Sequence, residues 1–215
     1  MSDLKHLLSQ NRAWAERMTA ENPDFFKRLE HAQHPHYLWL GCSDSRVSPD
    51  QIIGEPTGEI FVHRNVANLV VHSDFNFLSV LQYGVEVLKI QDIIVCGHYG
   101  CGGIHTAMQH DEYGLIDQWL LYVRDIYRSH QDDLKRLPDE QARFNRLCEL
   151  NVIHQVHNIC HTTIVQNAWK RGQSVAVHAW IYNLHDGRIR DLNFTITEAN
   201  QLDNIYQMVQ RHAQT

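Results

Sequence analysis

Asp92-Ile-Ile-Val-Cys-Gly-His-Tyr-Gly-Cys-Gly-Gly103 is the stretch on which the fold turns. The β-branched run after Asp92 predicts a buried strand over Asp92–Cys96 that stops at Gly97. Gly102-Gly103-Ile104 predicts the start of a helix directly behind it. Working back, Glu59-Ile-Phe-Val-His63 and Tyr37-Leu-Trp-Leu-Gly41 read as two more short apolar strands. Between the second and third strands, Phe77, Leu78, Leu81, Val85 and Leu88 recur at helical spacing, predicting a helix over 75–88. Strand, helix, strand with no hairpin turn implies parallel pairing and a right-handed crossover.

Outward from this core, Leu115, Trp119, Leu120, Val123 and Ile126 mark a helix over 114–127. Val152, Val156, Ile159, Ile164 and Trp169 mark one long helix over 150–169. Residues 174–182 read as a strand, and Asp186-Gly187 as the turn into a second strand over 189–196, an edge hairpin. Two amphipathic helices precede the first strand, with Asn22 capping the second and Pro23 at its first position. A last helix is expected over 198–210. The fold class is therefore α/β: a mainly parallel central sheet flanked by helices, with an N-terminal helical extension. The chain reads as one domain, with a helical arm (1–33), an α/β core (34–197) and a C-terminal helix (198–215).

The 215 residues carry a formal net charge of −6, and no run of Lys or Arg forms a basic stripe, which argues against a nucleic-acid partner. No stretch approaches the length of apolar sequence that spans a membrane, and the N-terminus shows no secretory signal. The expected location is the cytoplasm. Five cysteines in such a chain point to metal or thiol chemistry rather than to disulfides.

Two motifs fall where apolar strands run out: Gly41-Cys-Ser-Asp-Ser-Arg46 and Gly97-His-Tyr-Gly-Cys-Gly-Gly103. Ligands collect at the carboxyl ends of parallel strands. Two thiolates and an imidazole suit zinc, and such a set with an open fourth position is a known catalytic arrangement. A structural zinc with Asp44 as fourth ligand, and plain thiol chemistry, remain as alternatives. A phosphatase-type loop needs more residues between its Cys and Arg than separate Cys42 from Arg46.

Cys42-Ser-Asp-Ser-Arg46, Phe61-Val-His-Arg-Asn-Val-Ala-Asn68 and Cys96-Gly-His-Tyr-Gly-Cys-Gly-Gly103 resemble the signature blocks of β-class carbonic anhydrases of the bacterial, bicarbonate-regulated type. The resemblance runs from about Leu4 to Asp191. One departure is Val47-Ser48-Pro49, where many relatives have proline directly after the valine.

The resemblance implies one Zn²⁺ per subunit on Cys42, His98 and Cys101, and reversible hydration of carbon dioxide to bicarbonate and a proton by zinc-bound hydroxide. It implies that Asp44 and Arg46 gate the fourth zinc position. Two thiolates should leave the bound water less acidic than three imidazoles do, so activity should rise toward alkaline pH. It further implies a carbon dioxide pocket shared between subunits (Gln33, Phe61, Val66, Tyr83, with the Gly102 N–H), a regulatory bicarbonate site (Trp39, Arg64, Tyr182), and a homo-oligomer, dimeric or tetrameric. Hydrolysis of a carbon dioxide analogue such as carbon disulfide, or a non-catalytic sensor role, are the rival functions. His154, His157 and His161 read as a polar helix face, His105 as no more than a weak proton-relay candidate, and Cys96, Cys148 and Cys160 as small core residues.

Overall fold

The apolar run at Asp92 forms the central strand of a five-stranded sheet in the computed structural model, which describes residues 4–208. The chain divides between His34 and Pro35 into two units. The first holds α1 (Lys5–Glu21) and α2 (Phe25–His31). Trp14, Phe25 and Phe26 pack edge to face there, with ring centroids 5.0 to 6.3 Å apart. Asn22 does not cap α2. Its side chain accepts the Asp24 N–H at 3.2 Å, so the helix begins two residues after Pro23.

The second unit runs through β1 (Tyr37–Cys42), α3 (Pro49–Ile53), β2 (Ile60–Asn65), α4 (Phe75–Gln82) and β3 (Asp92–His98). It continues with α5 (Gly102–Met108), α6 (Leu115–Ser129), α7 (Gln131–Lys135), α8 (Glu140–His161), α9 (Thr163–Lys170), β4 (Ala176–Asn183) and β5 (Arg188–Ile196). The sheet order is β2-β1-β3-β4-β5. All neighbours are parallel except the β4–β5 edge hairpin, as expected from Asp186-Gly187. β2 and β3 are not partners, contrary to the simple reading of strand, helix, strand: β1 lies between them.

Alternation along the strands sends residues to opposite faces. Leu38, Leu40, Ile93, Val95, Val177 and Ala179 pack with Val152, Val156 and Ile159 of α8 and Val165 and Ala168 of α9. Each fully buried Leu, Ile or Val among them contributes about 1.5–3 kcal/mol. Trp39, Ile94 and Cys96 face the other way, with Ile52 and Ile53 of α3 and with Trp180 and Tyr182.

Two helices differ from the sequence expectation. The single helix over 150–169 is two, because Thr162 leaves helical geometry and caps α9, its hydroxyl accepting the Val165 N–H. The helix over 75–88 turns at Tyr83 into a π-type turn, Tyr83–Val87. At the C-terminus the expected helix is replaced by two 3-10 turns, Ala199–Gln201 and Asn204–Tyr206, and the rest of that expectation lies outside the described residues. Among the described residues no helix is long and apolar enough to cross a membrane.

Candidate metal centre

β1 and β3 are parallel neighbours, so their carboxyl ends deliver Cys42 and His98 side by side. Cys101 follows three residues after His98, at the entry to α5. The three donor atoms lie within 4.8 Å of one another and all three residues are buried. The two sulfurs are 3.8 Å apart. The Cys101 thiol donates to Cys42 and favours its thiolate against the opposing effect of burial. The negative sulfur in turn holds Cys101 protonated. A dication is what allows both thiols to ionise together.

His98 supplies the second argument for a cation. Its Nδ1–H donates to the Tyr99 carbonyl at 3.0 Å, which leaves Nε2 with a lone pair. That Nε2 is buried and has no hydrogen-bond partner among the described residues. It faces the two sulfurs, and Asp44 Oδ2 lies 3.7 Å away. Two sulfurs and a carboxylate oxygen gathered round an imidazole nitrogen that meets no donor among the described residues fit a metal, and the Cys₂His chemistry fits zinc.

Asp44 is restrained. Arg46 Nε donates to Oδ1 at 2.9 Å and Nη2 to Oδ2 at 2.6 Å, a bidentate pair, and Nη2 also reaches the Gly100 carbonyl at 3.3 Å. The Arg46 bond holds the Asp44 carboxyl well below the usual carboxylate range although burial opposes it.

The remaining predicted residues fall into separate places. Val66 lies against α5: a Cβ added to Gly103 would meet Val66 Cγ1 at 2.9 Å. Gly102, at the first position of α5, has open space where a side chain would be. Phe61 and Tyr83 pair with each other, centroids 5.8 Å apart. Phe61 is opposite Leu38, however, whereas Cys42 is opposite Asn65. At about 3.3 Å per residue that is roughly 13 Å back along the strand, so one chain does not bring these rings to the metal site. Gln33 is an exposed residue of the N-terminal unit.

Trp39 and Tyr182 share one apolar cluster, and Trp39 Nε1 is buried with no partner among the described residues. Arg64 donates to the carbonyls of Cys42 (2.7 Å) and Asp44 (2.5 Å), bracing the metal loop from β2. Burial pushes the Cys96 and Cys160 thiols up, and Cys148 to about 12. His105 packs against Phe144.

Sequence reasoning missed an amide ladder beneath the β2 exit. Asn65 closes the turn by bonding Leu69 at both N–H and carbonyl, across left-handed Ala67 and Asn68. From α8, Asn151 donates to the Ala67 carbonyl, Gln155 accepts the Val70 N–H, and Asn158 donates to the Val70 carbonyl. The only sequence signal was amide side chains recurring at helical spacing among the apolar residues of α8.

A buried Cys₂His group at the carboxyl ends of two parallel strands, with a restrained carboxylate beside it, defines a centre able to hold a metal and work on a small substrate. The carbonic anhydrase family model matches residues 37–189. A carbonic anhydrase of Emericella nidulans is 43% identical, over 87% of this chain and 82% of that protein. A Coccomyxa β-carbonic anhydrase solved with acetazolamide superposes with a TM-score of 0.88 at 39% identity, covering 94% of this chain and 91% of that one. A tetrameric β-carbonic anhydrase of Sordaria macrospora gives a TM-score of 0.84 at 36% identity, covering 90% and 98%. The chain belongs to the carbonic anhydrase family, in its β class, and is an enzyme of carbon dioxide hydration.

Proposed function

We propose that the enzyme is zinc-dependent, with Cys42, His98 and Cys101 holding the metal and Asp44 with Arg46 governing its fourth position. The observation that carries this reading is the buried, unpartnered His98 Nε2 facing two sulfurs. When bound, zinc supplies the Lewis acidity that makes water a nucleophile near neutral pH. The protein's own contribution starts with Arg46, which keeps Asp44 ionised and turned off the metal. Asp44 then accepts a hydrogen bond from the attacking water and fixes its direction. Val66 gives carbon dioxide an apolar wall, and the Gly102 N–H, unused by the helix ladder, is offered to a substrate oxygen.

Phe61 and Tyr83 complete this pocket from a second copy of the chain, so the working unit is an oligomer. Exposed Leu7 and Leu8 on α1, and exposed Leu115 and Tyr122 on α6, supply apolar surface for assembly. The Sordaria relative is tetrameric. A monomer by light scattering at micromolar concentration contradicts this part. The buried thiols suit a reducing, cytoplasmic setting, which cell fractionation tests.

Regulation follows from Arg64. An anion drawn to Arg64 and the unpartnered Trp39 N–H, with Tyr182 nearby in the same cluster, competes for the guanidinium that braces Cys42 and Asp44. Non-competitive inhibition by bicarbonate that is lost in Trp39→Phe supports this site, and unchanged inhibition removes it. For the enzyme itself, elemental analysis should give a single zinc per chain, and Asp44→Ala should lose turnover. Full turnover in Asp44→Ala refutes the role of Asp44.

A further inference from the structure

Tyr99 sits between the metal-site residues His98 and Gly100, and nothing in the proposed chemistry uses its ring. Its hydroxyl donates to Glu149 Oε1 at 2.6 Å. Arg190 Nη2 bonds both the Tyr99 oxygen and Glu149 Oε1, and Arg146 Nη1 donates to Glu149 Oε2 at 2.8 Å. The Arg190 guanidinium also lies 5.6 Å from the Tyr99 ring centre. Three side chains, from the β3–α5 loop, α8 and β5, thus meet on the Glu149 carboxylate, whose side chain is 15% exposed.

Resting on the zinc reading above, we propose that Glu149 and Arg190 are positioning residues for His98, acting through Tyr99. They fix the Tyr99 ring, and the Tyr99 carbonyl, which accepts the His98 Nδ1–H, fixes the imidazole with Nε2 toward the sulfurs.

The geometry makes the coupling direct. Tyr99 N–H donates to the Tyr182 carbonyl at 3.0 Å, so the residue is held at its amide and at the end of its ring. With both ends held, the carbonyl between them has little freedom to turn. A histidine ligand depends on that kind of outer bond for its tautomer and ring plane. Burial costs the Glu149 carboxylate, yet the bonds from Tyr99 and Arg146 and the charge of Arg190 keep its pKa below the usual range. Burial and the bond to Glu149 keep the Tyr99 phenol neutral.

The test compares wild type, Tyr99→Phe, Glu149→Gln and Arg190→Met. It measures zinc affinity by chelator competition and the visible spectrum of the Co²⁺-loaded proteins. Tyr99→Phe and Glu149→Gln are expected to lose about 10–100-fold in zinc affinity and to shift the cobalt bands. The Tyr99→Phe/Arg190→Met double variant should lose less than the product of the single losses, since both act on one contact. Arg190 is more than half exposed, so its variant reports even if Glu149→Gln fails to fold. Variants that keep wild-type zinc affinity and cobalt spectrum, with only the unfolding midpoint lowered, make the cluster a plain staple and overturn the proposal. A wild type that takes up neither metal overturns the zinc reading instead, and the clamp with it.

Discussion

Asp44 gives both carboxylate oxygens to Arg46, at 2.9 and 2.6 Å, while its Oδ2 lies 3.7 Å from the free nitrogen of His98. On the zinc reading proposed above, this one bidentate pair is what holds the carboxylate off the metal.

Removing the arginine should close the site. Arg46→Ala frees Asp44 to move toward the cation, and kcat/KM for carbon dioxide hydration is expected to fall by about 10–100-fold. Arg46→Lys should recover only part of the loss, because an ammonium cannot hold both oxygens in the plane of the carboxylate. Steady-state kinetics of the two variants decides it, and wild-type rates in Arg46→Ala reject the gate.

Gly97 should tolerate no side chain. A Cβ there would lie 2.5 Å from Val152 Cγ2, in the core beneath β3. Gly97→Ala is expected to cost about 1–3 kcal/mol in urea unfolding, the usual range for overpacking. Gly102→Ala, where a Cβ meets nothing within 4 Å, should unfold at or above the wild-type midpoint.

The amide ladder of α8 should be worth a comparable amount. Gln155→Leu leaves the buried Val70 N–H without its acceptor, at a cost of about 1–3 kcal/mol. Hydrogen exchange at Val70 should accelerate in the variant. Unchanged protection there would show that another group holds the turn.

Acid should weaken the fold through the histidines near the C-terminal segment. His161 stacks on Tyr206 with centroids 3.8 Å apart, and burial, with His157, His72 and His154 nearby, lowers its pKa to about 4, while Asp203 opposes. An unfolded-chain histidine titrates near 6.5. Between the two values the unfolded chain binds more protons, so this stability is present above about pH 6.5 and is lost as pH falls toward 4. The melting temperature of wild type should drop between pH 7 and 5 more steeply than that of His161→Phe, which keeps a ring on Tyr206. Parallel slopes for the two proteins would count against His161.

The strands and the grouping of Cys42, His98 and Cys101 were legible because each rests on local signals. A β-branched run ends in glycine at Gly97, and a Cys or His stands just at or beyond a strand end. What was not legible depends on distant partners. Nothing near Thr162 announces that its hydroxyl will cap a new helix instead of letting α8 continue. The placement of β1 between β2 and β3 is set by sheet packing. Phe61 and Val66 lie in one motif, yet the strand between them keeps the Phe61 ring from the site within one chain. Tyr99 was in plain view between two site residues, but its meaning depends on Glu149 and Arg190, 50 and 91 residues away.

Stopped-flow carbon dioxide hydration on the zinc-loaded protein, followed from neutral pH to about pH 9, tests the central claim most directly. The account predicts turnover that rises with pH and disappears in Cys42→Ser. Zinc bound on Cys42, His98 and Cys101 with no turnover at any pH would contradict it, and would move a sensor or the hydrolysis of a carbon dioxide analogue into its place.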